Sequence, residues 1–154
     1  MKAVVQRVSS ASVLVRDRMI ASIGKGLLVF LGIEKRDANR SAIFLAEKIS
    51  NLRIFEDSSG KMNLSLIDIG GDLMVVSQFT LLADCKKGNR PAFTNAEHPE
   101  RAKIVYEFFI EQAKKRIAIV QQGVFQETMK VNIVNDGPVT IVLDDRRSDE
   151  TEIG

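Results

Sequence analysis

A single histidine, a single cysteine and no long apolar run narrow what this 154-residue chain can be. Cys85 alone excludes an internal disulfide and suits a reducing cytoplasm. A Ser-His-Asp triad needs a histidine base, and His98 beside Pro99 reads more simply as a cap or surface residue at a helix mouth. One Cys and one His cannot supply a zinc cluster. No GxGxxG follows a strand, and Gly24-Lys25-Gly26 lacks the phosphate-loop spacing and leads into a strand, so it reads as a hairpin turn. Asp144 and Asp145 could touch a hard cation but fit a solvated strand end better. No metal or cofactor is expected. The longest apolar run, Leu27 to Ile33, is far short of the ~20 residues of a membrane span. Charge at Lys2 and Arg7 comes too early for a signal peptide. The chain reads as a cytoplasmic protein with no membrane partner.

A net charge of +2 falls short of the basic footprint of a duplex-binding protein. Lys86, Lys87 and Arg90, beside Gly88, read either as a solvated loop or as a grip on the few phosphates of an RNA end. With 45% hydrophobic and 27% charged residues, the composition is that of a globular domain. It is placed at residues 1–145, with 146–154 a charged, flexible tail.

Alternation predicts strands at Val4 to Val8, Ser12 to Arg16 and Arg18 to Ile23, then a buried strand from Leu27 to Ile33. Asp37 is a candidate N-cap for a helix with Ala42, Leu45, Ala46 and Ile49 on one face. Short strands are expected at Arg53 to Phe55 and Leu73 to Val76. Pro99 opens a second helix whose stripe is Ala102, Val105, Tyr106, Phe109, Ile110 and Ala113. Ile117 to Gln121 reads as a strand. The runs Met129–Val134 and Val139–Leu143, joined by Asn135-Asp136-Gly137-Pro138, read as a closing hairpin. The class is therefore α+β, with antiparallel pairing and two helices.

Two stretches sharpen this. Ser77-Gln78-Phe79-Thr80-Leu81 closes the Leu73 strand, and Asn135-Asp136-Gly137-Pro138-Val139-Thr140 lies near the end of the apolar chain. Together they resemble the SQFTL and NxGPxT segments of the D-aminoacyl-tRNA deacylases. Matching blocks from Ala3 to Val13, at Gly24 to Val29, at Asn51 to Phe55 with Gly60 to Asn63, and at Lys87 to Phe93 extend the resemblance over nearly the whole chain. It implies a homodimer with a curved, barrel-like, mainly antiparallel sheet packed against helices. The implied substrate is D-aminoacyl-tRNA, held by its 3′ CCA end and cleaved at the ester bond.

The resemblance also distributes roles. Neutral groups at Ser77, Gln78, Phe79 and Thr80 suit an ester that needs mainly an oxyanion donor, with backbone N–H groups around Gln78 and Phe79 polarising the carbonyl. Thr80 is either a nucleophile or a positioning group; no evident base for its hydroxyl favours positioning. Gly137-Pro138 is implied to be cis and inserted into the partner subunit's site. Its carbonyls would meet the α-amino group of a D-residue and clash with an L side chain. Such a filter also passes glycyl-tRNA. Arg7, with Asn135 and Thr140 of the motif, is implied to support that loop, although Arg7 alone reads as a strand-edge charge. Phe125 and Met129 match positions that hold the terminal adenosine, or else pack in the core. Gln126 departs from the common family pattern, which usually has glycine there, and the side chain could crowd the adenine or demand an unusual φ.

Overall fold

The computed structural model describes residues 1–146. The expected flexible tail lies outside them except for Arg146, whose guanidinium pairs with Glu34 at 2.9 Å.

One strand organises the sheet. β1 (Lys2–Val15) is continuous where alternation suggested two strands. It turns back through Arg16 and Asp17, both left-handed (φ 50° and 61°), into β2 (Arg18–Ile23). Two successive positive φ values give the turn whose twist matches that of the strands. The expected hairpin at Gly24-Lys25-Gly26 is not one. β3 (Gly26–Gly32) also pairs with β1, and from Ala11↔Ile23 to Val8↔Gly26 the chain advances three residues while β1 is followed back by three. The chain runs on along the same edge without slipping register, because β1 offers an unbroken row of partners. Gly26 is required there by β6 (Asp72–Ser77): a Cβ would lie 1.9 Å from the Asp72 carbonyl oxygen.

β6 lies parallel to β3, and β7 (Val120–Gln122) parallel to β6. β8 (Lys130–Asp144) runs antiparallel to β1. The sheet is six-stranded, nearly closed and barrel-like, mainly antiparallel as expected but with the parallel β3–β6–β7 pairings unforeseen. β4 (Phe55–Glu56) and β5 (Met62–Leu64) form a separate ribbon. Sequence bounds drift at two strands: Arg53–Phe55 becomes β4, and Ile117–Gln121 becomes β7.

α1 (Asn39–Asn51) and α3 (Pro99–Lys114) bury the faces their periodicity predicts. They cover one face of the sheet, where Ala3, Val5, Leu27, Val29 and Leu31 complete the core. On the other face Val8, Ala11, Val13, Leu28, Met74 and Val76 form a second cluster inside the curl. Each single turn of α2 (Leu66–Ile69) and of 3-10 helix at Phe79–Leu82 adds to the two expected helices. α2 is closed by a capping box of Ser65 and Asp68. Among the described residues no helix is long and apolar enough to cross a membrane.

Asp37 does not cap α1. The N-cap is Ala38, without a side-chain bond. Asp37 turns inward instead, where its carboxylate accepts from the Glu34 N–H at 2.6 Å and from the Met1 amino group at 2.8 Å. That amino group also meets Glu34 at 3.1 Å and Asp145 at 2.6 Å. Asp145 is thus occupied by the chain's own cation, and Asp144 by Arg146 at 3.3 Å. Burial alone would lower the pKa of the amino group; the bonds to Asp145 and Asp37 outweigh it and raise it above 8.0. A cation favoured by the fold contributes stability that is complete below pH 8.0 and is lost as pH rises through the elevated value. Melting temperature is therefore expected to fall above that pH more steeply in the wild type than in Asp145→Asn, which starts lower. Parallel pH profiles for the two proteins would reject this account.

Candidate active site

Where β6 ends, the chain bends into the 3-10 turn. The Gln78 N–H donates to the Leu31 carbonyl at 2.8 Å, prolonging the β3–β6 pairing by one bond. The turn then closes through Leu81 N–H to Gln78 O at 3.3 Å and Ala83 N–H to Thr80 O at 3.2 Å. The first N–H groups of a helix have no partner within it, and those of Phe79 and Thr80 find no acceptor among the described residues. The Gln78 amide donates to the Thr80 hydroxyl oxygen. Among the described residues that hydroxyl has a donor beside it and no base.

Above this turn opens a cleft of about 740 Å³. Ser77, Gln78 and Phe79 form one wall, and Phe125 and Met129 belong to another. Phe125 packs on Tyr106, ring centroids 5.6 Å apart, and also lines the cleft. Met129 likewise packs on the second cluster and lines the cleft. Tyr106 is locked by its hydroxyl donating to Val75 O at 3.1 Å, and burial raises its pKa well above the usual phenol range. Thr80 stands beside the cleft, reached through Gln78. Sequence reasoning missed the third wall, the segment carrying Phe93, Thr94 and His98. Phe93 packs edge-on against Phe79 at 5.0 Å, an aromatic pair the sequence gives no means of matching.

The second set of expected residues surrounds a bulge. Residues 135–139 are not a hairpin turn, because β8 runs straight through them along β1. Between Gln6↔Thr140 and Val8↔Asn135 the pairing uses two steps of β1 and five of β8, so the surplus is pushed outward. Arg7 lies beneath it and is buried, only 7% exposed, not a surface charge. Its Nε donates to Asp136 O at 3.1 Å and its Nη1 to Ile54 O at 2.7 Å. The Asn135 amide spans the bulge from within, donating to Arg7 O at 2.9 Å and Val139 O at 3.1 Å. Gly137 has φ 122°, and a Cβ there would sit 2.7 Å from Arg7 Nη2. The Gly137–Pro138 bond is cis, and both residues are exposed. Thr140 accepts from Gln6 Nε2 at 3.2 Å.

The two sets do not meet within one chain. From Met129 to Gly137 the extended backbone covers roughly 25 Å at about 3.3 Å per residue, and neither Gly137 nor Pro138 lines the cleft.

Residues 4–144 match the family model described as D-Tyr-tRNA(Tyr) deacylase. The chain belongs to this family. It is 62% identical to a D-aminoacyl-tRNA deacylase of Syntrophus aciditrophicus, over 96% of this chain and 99% of that one. It is 59% identical to one of Petrotoga mobilis over 96% and 99%. Among solved structures it is similar to a c-Myc DNA unwinding element binding protein, with TM-score 0.91 and 45% identity over 96% of this chain and all (100%) of that one. A probable eukaryotic D-amino acid tRNA deacylase shares the fold, with TM-score 0.80 and 16% identity over 92% and 97%.

Within this deacylase frame Gln126 has a physical consequence. Its φ is 65°, a left-handed value, and it lines the cleft. The glycine expected at this position costs nothing in that conformation, whereas a side chain costs roughly 1–2 kcal/mol. Glycine returns part of that through unfolded-chain entropy. Gln126→Gly is therefore expected to be neutral or stabilising by up to about 1 kcal/mol, and Gln126→Val destabilising by about 1–2 kcal/mol. Urea midpoints would check both; the reverse order would show that φ is not what this position demands.

Proposed function

We propose that this deacylase hydrolyses the ester bond of D-aminoacyl-tRNA, and of glycyl-tRNA, as a cytoplasmic homodimer in which each Gly137–Pro138 bulge enters its partner's cleft. The observation that supports it is a mismatch within one chain: a rigidly braced, exposed bulge and an open cleft that the bulge cannot reach. A two-fold dimer resolves this, since a self-complementary interface gives each cleft the other chain's bulge.

In this reading the 3′ adenosine lies against Phe125 and Met129, and the ester carbonyl faces the start of the 3-10 turn. The Gln78 N–H is already used by Leu31, so the oxyanion donors fall to Phe79 and Thr80. Water attacks the carbonyl carbon, the bond to the ribose oxygen breaks, and that oxygen takes a proton, with the neighbouring 2′-OH as the nearest shuttle. Thr80, its oxygen held by Gln78, orients water or ribose and does not attack. The carbonyls of Gly137 and Pro138 accept from the α-amino group of a D-residue and leave no room for an L side chain. Glycine, with none to exclude, passes.

Purified protein is expected to hydrolyse D-tyrosyl-tRNA and glycyl-tRNA and to spare L-tyrosyl-tRNA. Hydrolysis of neither tyrosyl ester would sink the enzyme reading; hydrolysis of both would keep the chemistry and discard the filter. Arg7→Lys keeps the charge but loses the planar fork that serves Ile54 and Asp136 together. It should cut the D-to-L rate ratio by about tenfold or more, which is about 1.4 kcal/mol of discrimination. Single-turnover rates of Thr80→Ala within about tenfold of wild type would exclude a threonyl ester intermediate. A nucleic-acid binding role without turnover, suggested by the name of the 45% identical protein, would instead leave D-tyrosyl-tRNA bound and intact.

A further inference from the structure

We infer that the exposed loop between Asp84 and Ala92 is a second contact surface, which takes the phosphodiester backbone of the tRNA acceptor stem as it leaves the cleft. The inference rests on the deacylase reading of the cleft.

The loop is built as a projecting finger. Its base is a β-bridge, Asp84 N–H to Ala92 O at 2.7 Å and Ala92 N–H to Asp84 O at 2.9 Å. Every residue from Asp84 to Asn95 is exposed. The tip carries Lys86, Lys87 and Arg90, and none of them enters an ion pair among the described residues. The finger is continuous with the cleft, because its next residues, Phe93 and Thr94, are cleft wall and Phe93 packs edge-on against Phe79. Lys35 stands in the same wall, where its N–H donates to Asn95 O at 2.9 Å. The nearby carboxylates are largely engaged: Asp84 accepts the Lys86 N–H at 3.0 Å, and Glu97 pairs with Arg101 at 3.1 Å. Glu127 remains on the cleft wall.

Cations therefore lead from the cleft wall outward along one rim. An RNA whose 3′ end enters the cleft must carry a phosphate at every nucleotide across that rim, and three unpaired cations meet it. A structural role would require partners that these three side chains do not have among the described residues. The balance of 22 basic against 20 acidic residues conceals the feature in any whole-chain count.

The test combines Lys86→Ala, Lys87→Ala and Arg90→Ala. On full-length D-tyrosyl-tRNA, kcat/KM is expected to fall about tenfold, through KM with kcat kept. On the D-tyrosyl ester of the trinucleotide CCA it should change by less than about two-fold. In binding of uncharged tRNA, the slope of log K against log salt should shrink by about two to three, one for each lost phosphate contact. An unchanged KM for full-length tRNA, or an equal loss on both substrates, would overturn the assignment. Cleavage of neither ester by the wild type would instead strike the deacylase reading, and the salt slope with uncharged tRNA would still decide the role of the loop.

Discussion

The functional face depends on the buried guanidinium of Arg7. Removing one partner from a buried charge typically costs about 3–5 kcal/mol, so such a group persists only where its donors are used. Here they reach the carbonyls of Ile54 and Asp136, and the Asp136 carboxylate stands 3.7 Å away. One side chain thereby ties β1, the segment entering β4 and the bulge of β8. Asn135 closes the bulge from the other side by bonding two carbonyls. Gly137–Pro138 is consequently exposed without being loose.

The same bulge shows where local reading of a sequence stops. Asp-Gly-Pro between β-branched runs carries the turn chemistry of a hairpin, and that chemistry is also what a bulge needs. Which of the two forms is decided by the partner strand, and β1 pairs on both sides of the interruption. Gly24-Lys25 repeats the lesson on the other edge, where the glycine at 26 answers to the backbone of β6 and not to a reversal. Asp37 follows the N-cap rule in sequence and breaks it in space, since a buried amino group outcompetes helix N–H groups for its carboxylate. The helix faces, by contrast, were fully legible. Periodicity over Ala42–Ile49 and Ala102–Ala113 is local, and the buried stripes follow it.

The site was legible in a different sense. Ser77 to Phe79, Phe125 and Met129 do surround one cleft, but they were found through motif resemblance, because no periodicity or charge pattern singles them out. What the resemblance carried imprecisely was the hydrogen-bond accounting. The Gln78 amide, expected to face substrate, extends the pairing of β3 with β6, which moves the open donors one residue along. The Phe93–His98 wall was missed because its position follows from a long-range bridge, Glu34 to Ala96, that leaves no local trace.

Magnitudes explain why a chiral filter of this kind would be made of backbone and braced so heavily. Excluding the wrong hand by a factor of ten thousand requires about 5.5 kcal/mol. A side chain in that position could rotate away for much less, roughly 0.5–1.5 kcal/mol for an off-rotamer shift. A loop held by one ordinary hydrogen bond, worth a net 0.5–1.5 kcal/mol or so, would give way to the intruding side chain before rejecting it. Pushing back the carbonyls at Gly137 and Pro138 requires breaking the Arg7 bond to Asp136 together with both Asn135 bonds, one of them from a buried charge. In the proposed dimer, only that combined cost would be commensurate with such discrimination. The absence of a side chain at residue 137, enforced by φ and by the 2.7 Å approach of Arg7, lets the guanidinium sit directly under the bulge that it must hold.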